Sequence, residues 1–212
     1  MDAIYTEQHG RYLLSIHHDD EAPLSPREDD NLTTITTWAP RWDHLGDDNA
    51  PNLSTAVEDY GIQETVGESI RSEAVALWPL IVLDYGSSGL NLRLGEDTPE
   101  AWNAADGAVY ITPERVKVVG TPPEHFEAAA RGELAVYEAY CNGDVYGYMI
   151  EREDTCNLGH VHRETVESCW GYYRDDDKPS DAGYGLGYVL GEARAAVPED
   201  APAPVPSGPA SS

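Results

Sequence analysis

This sequence predicts an α+β fold, a mainly antiparallel sheet with two or three helices, and three observations carry that expectation. Short β-prone runs follow one another through hairpin and turn signals. Helical signals are few and gather in the second half. No regular strand–helix alternation, of the kind a parallel sheet needs, runs along the chain. One domain over residues 1–196 is expected, followed by a disordered Pro/Ala/Ser tail over residues 197–212.

The elements are read in order. Arg11–His17 alternates partially and reads as a first strand, ended by a polar loop with Pro23 and Pro26. Leu32–Trp38, rich in Thr and Ile, is a second strand. Pro40–Pro51 is a loop, and Ser54–Val75 holds helical stretches interrupted by Gly61 and Gly67. Trp78–Leu83 is the most apolar run and should be a buried central strand, with Pro79 tolerated near its start. Gly86–Gly89 turns the chain into the strictly alternating Leu90–Leu94, and Ala108–Ile111 is a further strand. Thr112–Pro113–Glu114 is an N-cap with Pro at the first helical position, and Thr121–Pro122–Pro123–Glu124 repeats the signal. The second helix should run from Pro123 to Tyr140 and stop at Gly143. Phe126, Ala130, Leu134, Tyr137 and Cys141 give it one apolar stripe. Val145–Ile150 and Ser168–Tyr172 are strands joined by a long hairpin arm. Ser180 or Asp181 should cap a last helix running through Ala196.

Thirteen basic residues face 39 acidic ones, a net charge of −26, and Lys occurs only at positions 117 and 178. Phosphate contacts need Lys and Arg, so this balance excludes a general nucleic-acid binder and an anionic membrane surface as partner. The spread of acids from Asp2 to Asp200 suits multimolar salt, where the Debye length falls to about 3 Å and carboxylates hold water and cations. The expectation is a protein of a halophile or its virus. An acidic decoy that mimics nucleic acid is the rival reading. Met1–Tyr12 lacks a signal peptide's basic and apolar regions, and no window approaches a membrane span. Three Cys, at 141, 156 and 169, do not suggest a secreted disulfide framework. A soluble, cytoplasmic protein is expected, in the host cytoplasm if viral.

Several blocks, taken in order, carry a resemblance. They are Pro26–Leu32 with Trp38, Arg41 and Leu45–Gly46–Asp47; Pro79–Gly89; Ala101–Trp102 with Asp106–Ile111; Glu133–Tyr140 with Gly143–Tyr148; and Ser168–Tyr173. Across about residues 11–175 the chain resembles a family of uncharacterised phage and prophage proteins. That family usually carries Trp where Asp29 stands, and often a Cys or aromatic segment near Leu94. The resemblance implies a viral or mobile-element origin and a small accessory role. It brings no catalytic residues with it.

Cys156, His160, His162 and Cys169 are four zinc-ligand types within a short stretch, although not at standard finger spacing. They are the metal candidates, and zinc is the one cofactor weighed against none. His17–His18–Asp19–Asp20 reads as a strand end entering a solvated loop in preference to a metal site. Among so many acids, those beside glycine turns or buried runs stand out: Asp84, Asp106, Asp144, and Asp30 next to Asn31. For Asp84, a hydrogen bond to the Gly86–Gly89 turn is favoured over a raised pKa. Arg27 and Arg41 are notable because positive charge is scarce. The planar fork of Arg27 suits a carboxylate across the fold or a phosphate or carboxylate ligand, and internal pairing is the commoner outcome. Trp102 completes the binding candidates of the first half. Trp170, Tyr172, Tyr173, Tyr146 and Tyr148 fit a stacking platform, cross-strand packing or a protein-binding patch. Gly183–Gly187 follows no strand and lacks a downstream Lys, so it is no phosphate loop, and Ser87 lacks nucleophile-elbow spacing.

The function expected is that of a non-enzymatic accessory protein that binds a host or viral protein, with an anti-defence or regulatory role as its natural subtype. The alternative is a small, metal-dependent enzyme using Asp84, Asp106 or Asp144. A virion structural protein is disfavoured, because the chain shows neither repeats nor an assembly stalk.

Overall fold

A computed structural model describes residues 2–21, 25–28, 30–47, 70–175, 182–183 and 185–206. The fold is α+β, with two antiparallel sheets. The chain divides into two compact units, Leu24–Asn142 and the combination of Met1–Pro23 with Gly143–Ser212.

The Leu24–Asn142 unit holds β3 (Thr34–Thr37), β4 (Ala76–Asp84), β5 (Leu90–Leu94) and β6 (Gly107–Ile111), in the order β3-β6-β4-β5. The apolar run expected at Trp78–Leu83 is the inner strand β4. Its first half pairs with β6 and its second half with β5. The β5 ladder ends at the Leu80–Leu94 pair, so Pro79 lies beyond it, where the missing N–H is tolerated. A Cβ on Gly107 would stand 2.2 Å from the Thr36 carbonyl oxygen, so β3 and β6 approach more closely than any side chain allows.

Two helices follow the same local rule, and a third departs from it. In α1 (Pro99–Ala104) Thr98 accepts the Ala101 N–H, and in α2 (Pro113–Val119) Thr112 accepts that of Arg115; each has Pro at its first position. The α1 signal, Thr98–Pro99–Glu100, repeats the one recognised at Thr112 and was passed over. The tandem prolines 122 and 123 give a 3-10 turn, Pro123–His125, instead of a Thr121 cap. The helix proper, α3, is Phe126–Cys141. Its stripe is as expected: Phe126, Ala130, Leu134 and Tyr137 are buried, and Cys141 packs beside them. Ala130, Leu134 and Tyr137 meet Ile35, Leu80, Val82, Leu92 and Val109 of the sheet.

The second unit is a five-stranded sheet, β8-β7-β2-β1-β9, made of β1 (Tyr5–His9), β2 (Tyr12–His18), β7 (Val145–Thr155), β8 (Val161–Tyr173) and β9 (Val205–Pro206). Helix α4 (Gly187–Ala196) sets Val189, Leu190 and Ala193 on Leu14, Ile16, Tyr146, Tyr148 and Ile150. The expected caps Ser180 and Asp181, and the helical stretches around Gly61 and Gly67, lie outside the described residues. Strand β1 escaped the sequence reading because its buried positions include Glu7 and His9, which break the apolar alternation.

Candidate functional site

Arg27, one of the two arginines singled out in the sequence, lies in a 3-10 turn opened by Pro26. Its side chain is only 7% exposed. Nε and Nη2 donate to the two oxygens of Asp47 at 2.9 and 2.8 Å, a fork-to-fork pair. Nη2 also donates to the Thr33 carbonyl at 2.7 Å. Nη1 donates to Thr33 Oγ1 at 3.3 Å and lies 3.5 Å from Glu133 Oε2. All five guanidinium protons therefore have acceptors inside the unit. Burial opposes the Arg27 charge, and Asp47 and Glu133 outweigh it, so its pKa is raised.

The two carboxylates also serve the backbone. Glu133 of α3 accepts the N–H groups of Leu32 and Thr33 at 2.7 and 3.0 Å and the Thr33 hydroxyl at 2.5 Å. Asp47 accepts the Ile35 N–H at 2.8 Å. Strand β3 is a sheet edge, so the Asp47 bond satisfies its outward Ile35 amide, and the Glu133 bonds satisfy the two residues that lead into it. The opposite edge, β5, is treated alike. Glu138 accepts the Leu92 N–H at 2.7 Å and Asn91 Nδ2 at 2.9 Å. The Asn142 amide accepts the Leu90 N–H at 2.7 Å and donates to the Leu90 carbonyl at 2.9 Å, as a neighbouring strand would. In the sequence Asp47, Glu133 and Glu138 stand only as members of the resemblance blocks, and Asn142 belongs to none; the two glutamates also flank the apolar stripe of α3.

The other candidates of this unit are engaged in similar ways. Asn31 donates to the Pro26 carbonyl at 2.8 Å, whereas Asp30 is 85% exposed and 3.6 Å from Arg115. Asp106 accepts the Val82 N–H at 3.0 Å, with Arg41 3.6 Å from its other oxygen. Arg41 is mostly exposed and rests over the Trp42 ring. Asp84 accepts the Gly86 N–H at 2.7 Å, the turn bond favoured from sequence. Trp102 donates to Asp97 at 2.6 Å, under the Arg71 guanidinium and near Trp38. The Cys141 thiol is pushed up to about 11 by burial, which leaves it a poor nucleophile at neutral pH.

In the sheet that carries β1, Asp144 pairs with Arg174 at 2.7 Å and accepts the Arg174 N–H at 3.0 Å, closing the base of the β7–β8 hairpin. Tyr146 and Tyr148 belong to the core beneath α4, whereas Trp170 lies across Gly147, whose Cβ would meet the indole at 2.1 Å. Successive residues of β7 point to opposite faces. The proposed stacking platform is therefore divided between the two sides of the sheet.

The zinc constellation is not assembled. Cys156 and His160 close the turn at the hairpin tip through the Cys156 N–H to His160 carbonyl bond. His162 and Cys169 stand seven residues apart on one strand, pairing with Asp154 and Tyr148, and at ~3.3 Å per residue this separates them by roughly 20 Å. One ion cannot reach both. Among the described residues no three His, Cys, Asp or Glu side chains group as a metal site.

The most buried charge lies opposite, on β1. Glu7, 1% exposed, receives Arg194 of α4 at 2.6 Å, the Tyr5 hydroxyl at 2.7 Å, and has His9 Nε2 2.7 Å away. Burial pushes its pKa up, and these partners outweigh that and hold it below the ordinary value. Ser15 and His17, also buried, bond to each other at 2.9 Å, and burial lowers the His17 pKa. No helix among the described residues is long and apolar enough to cross a membrane.

No family model, curated protein or solved structure matches this chain.

Proposed function

We propose that this chain is a non-enzymatic accessory protein of viral or mobile-element origin that acts by binding a host or viral protein. The contact element is the β7–β8 arm. One observation supports this above the rest. The conspicuous charged side chains bond within the chain, while exposed apolar side chains are strung along the arm: Leu158 at its tip is 82% exposed, and Val161, Val166 and Trp170 follow along β8. Apolar side chains on a projecting hairpin, rimmed by the Arg152–Glu164 and Arg163–Glu153 pairs, have the layout of a protein-contact surface with an apolar centre and a polar rim. The acidic surface belongs to a salt-rich cytoplasm in this reading, and an anti-defence or regulatory role is its natural use.

Affinity capture from a high-salt host lysate tests it. Wild-type protein is expected to retain a defined protein that Leu158→Asp loses, with both forms equally folded by circular dichroism. Capture of nothing, or of the same proteins by both forms, overturns the reading.

A further inference from the structure

Among the described residues the sheet edges are protected in different ways. The β3 and β5 edges are satisfied by Glu133, Asp47, Glu138 and Asn142. Strand β8 carries two irregularities in its register with β7, at Tyr146/Tyr148 and Ile150/Glu151, and bulges of this kind discourage strand addition. Strand β1 carries an inward-pointing charge, Glu7 against Arg194, but no bulge. It is regular against β2 from Tyr5–Ile16 to His9–Tyr12 and contains neither Pro nor Lys. Among the described residues its outer side pairs with the C-terminal segment, through Glu7–Pro206 and Gln8–Val205.

The attachment is specific and slight. Pro206 has no N–H, so the exchange of backbone hydrogen bonds in this ladder falls to Val205 with Gln8. Upstream, the Pro202 ring occupies the place of a Gly10 side chain; a Cβ there would stand 2.6 Å from it, and Gly10 has φ +59°. Asp200 lies 3.6 Å from Arg11 and accepts the Tyr12 hydroxyl at 3.5 Å, and Ala201 rests against the core. Exposed pairs of this length contribute little, and Pro and Ala bury little surface.

We infer that the outer edge of β1, with the seat beside Gly10, is a binding site for an extended, proline-rich peptide. In this structure it is filled in cis by Pro198–Pro206. The segment is a displaceable strap, and its departure opens a regular strand edge to β-augmentation. This inference does not depend on the partner of the β7–β8 arm, because it concerns the opposite edge of the sheet.

The test starts from the full, folded chain with a specific protease site placed between Val197 and Pro198, cleaved after purification. The released core is expected to bind a fluorescent peptide of residues 198–206 saturably, with an anisotropy change that unlabelled peptide reverses. The same peptide N-methylated at Val205 should bind at least tenfold more weakly, because it lacks the donor to Gln8. The uncleaved chain should bind neither. A cleaved core that ignores the peptide, equal binding of the methylated form, or equal binding by the uncleaved chain each overturns the inference.

Discussion

Replacing Arg27 by Met is expected to remove about 3–5 kcal/mol of stability, the usual cost of breaking a buried ion pair by deleting one partner. The loss comes less from missing attraction than from what remains. The largely buried Asp47 and Glu133 carboxylates would face each other without the cation between them, and the Thr33 carbonyl would lose its donor. A domain typically has 5–15 kcal/mol in total, so the melting temperature should fall by roughly 10 °C or more. Arg27→Lys keeps the charge and loses the fork, and an intermediate loss is expected. Thermal melts of the three forms decide the matter. An Arg27→Met protein that melts with wild type and fails only in binding would make Arg27 a ligand contact.

Arg194→Met should give the second-largest effect and an informative pH dependence. Arg194 is partly exposed, so the loss at neutral pH should be about 2–3 kcal/mol, below that of a fully buried pair. In the wild type the Glu7 pKa is depressed. Its contribution is therefore present above the ordinary carboxylate value and is lost as pH falls through the depressed one. Without Arg194, burial dominates and raises the Glu7 pKa. The penalty then stands at neutral pH and is relieved as pH falls and the carboxyl takes up a proton. Tyr5 and His9 remain against Glu7 and moderate the change. Denaturant melts from pH 7 to pH 4 should show the gap between variant and wild type narrowing on acidification. A gap constant with pH would mean that Glu7 does not carry the effect.

Residues whose pattern is local were legible in the sequence. The apolar stripe of α3, the central run of β4 and the Thr–Pro–Glu caps depend on neighbours three or four positions away. The same caps show that a signal can be present and passed over, as at Thr98. Strand β1 was hidden for another reason. Glu7 is buried because Arg194 meets it from a helix far along the chain, and no local pattern announces that pair. Scarcity of positive charge drew attention to Arg27, and internal pairing was the commoner outcome expected. Its partner Glu133 lies more than a hundred positions away, so the network itself could not be read. The zinc candidates failed on strand geometry. Spacing that looks compact in sequence becomes long once His162 and Cys169 share one extended strand.

Asp47, Glu133, Glu138 and Asn142, with Arg27 held between the first two, close the edges of the sheet in the Leu24–Asn142 unit. Residue-resolved amide hydrogen exchange tests this role most directly. The Ile35, Leu90 and Leu92 amides of the edge strands, and those of Leu32 and Thr33 just before β3, should exchange as slowly as those of the inner strands β4 and β6. In Glu138→Ala the Leu92 amide should become fast while the Leu32 and Thr33 amides stay slow. Rapid exchange at these amides in the wild-type protein, or no local change at Leu92 in the variant, would contradict this role for the carboxylates.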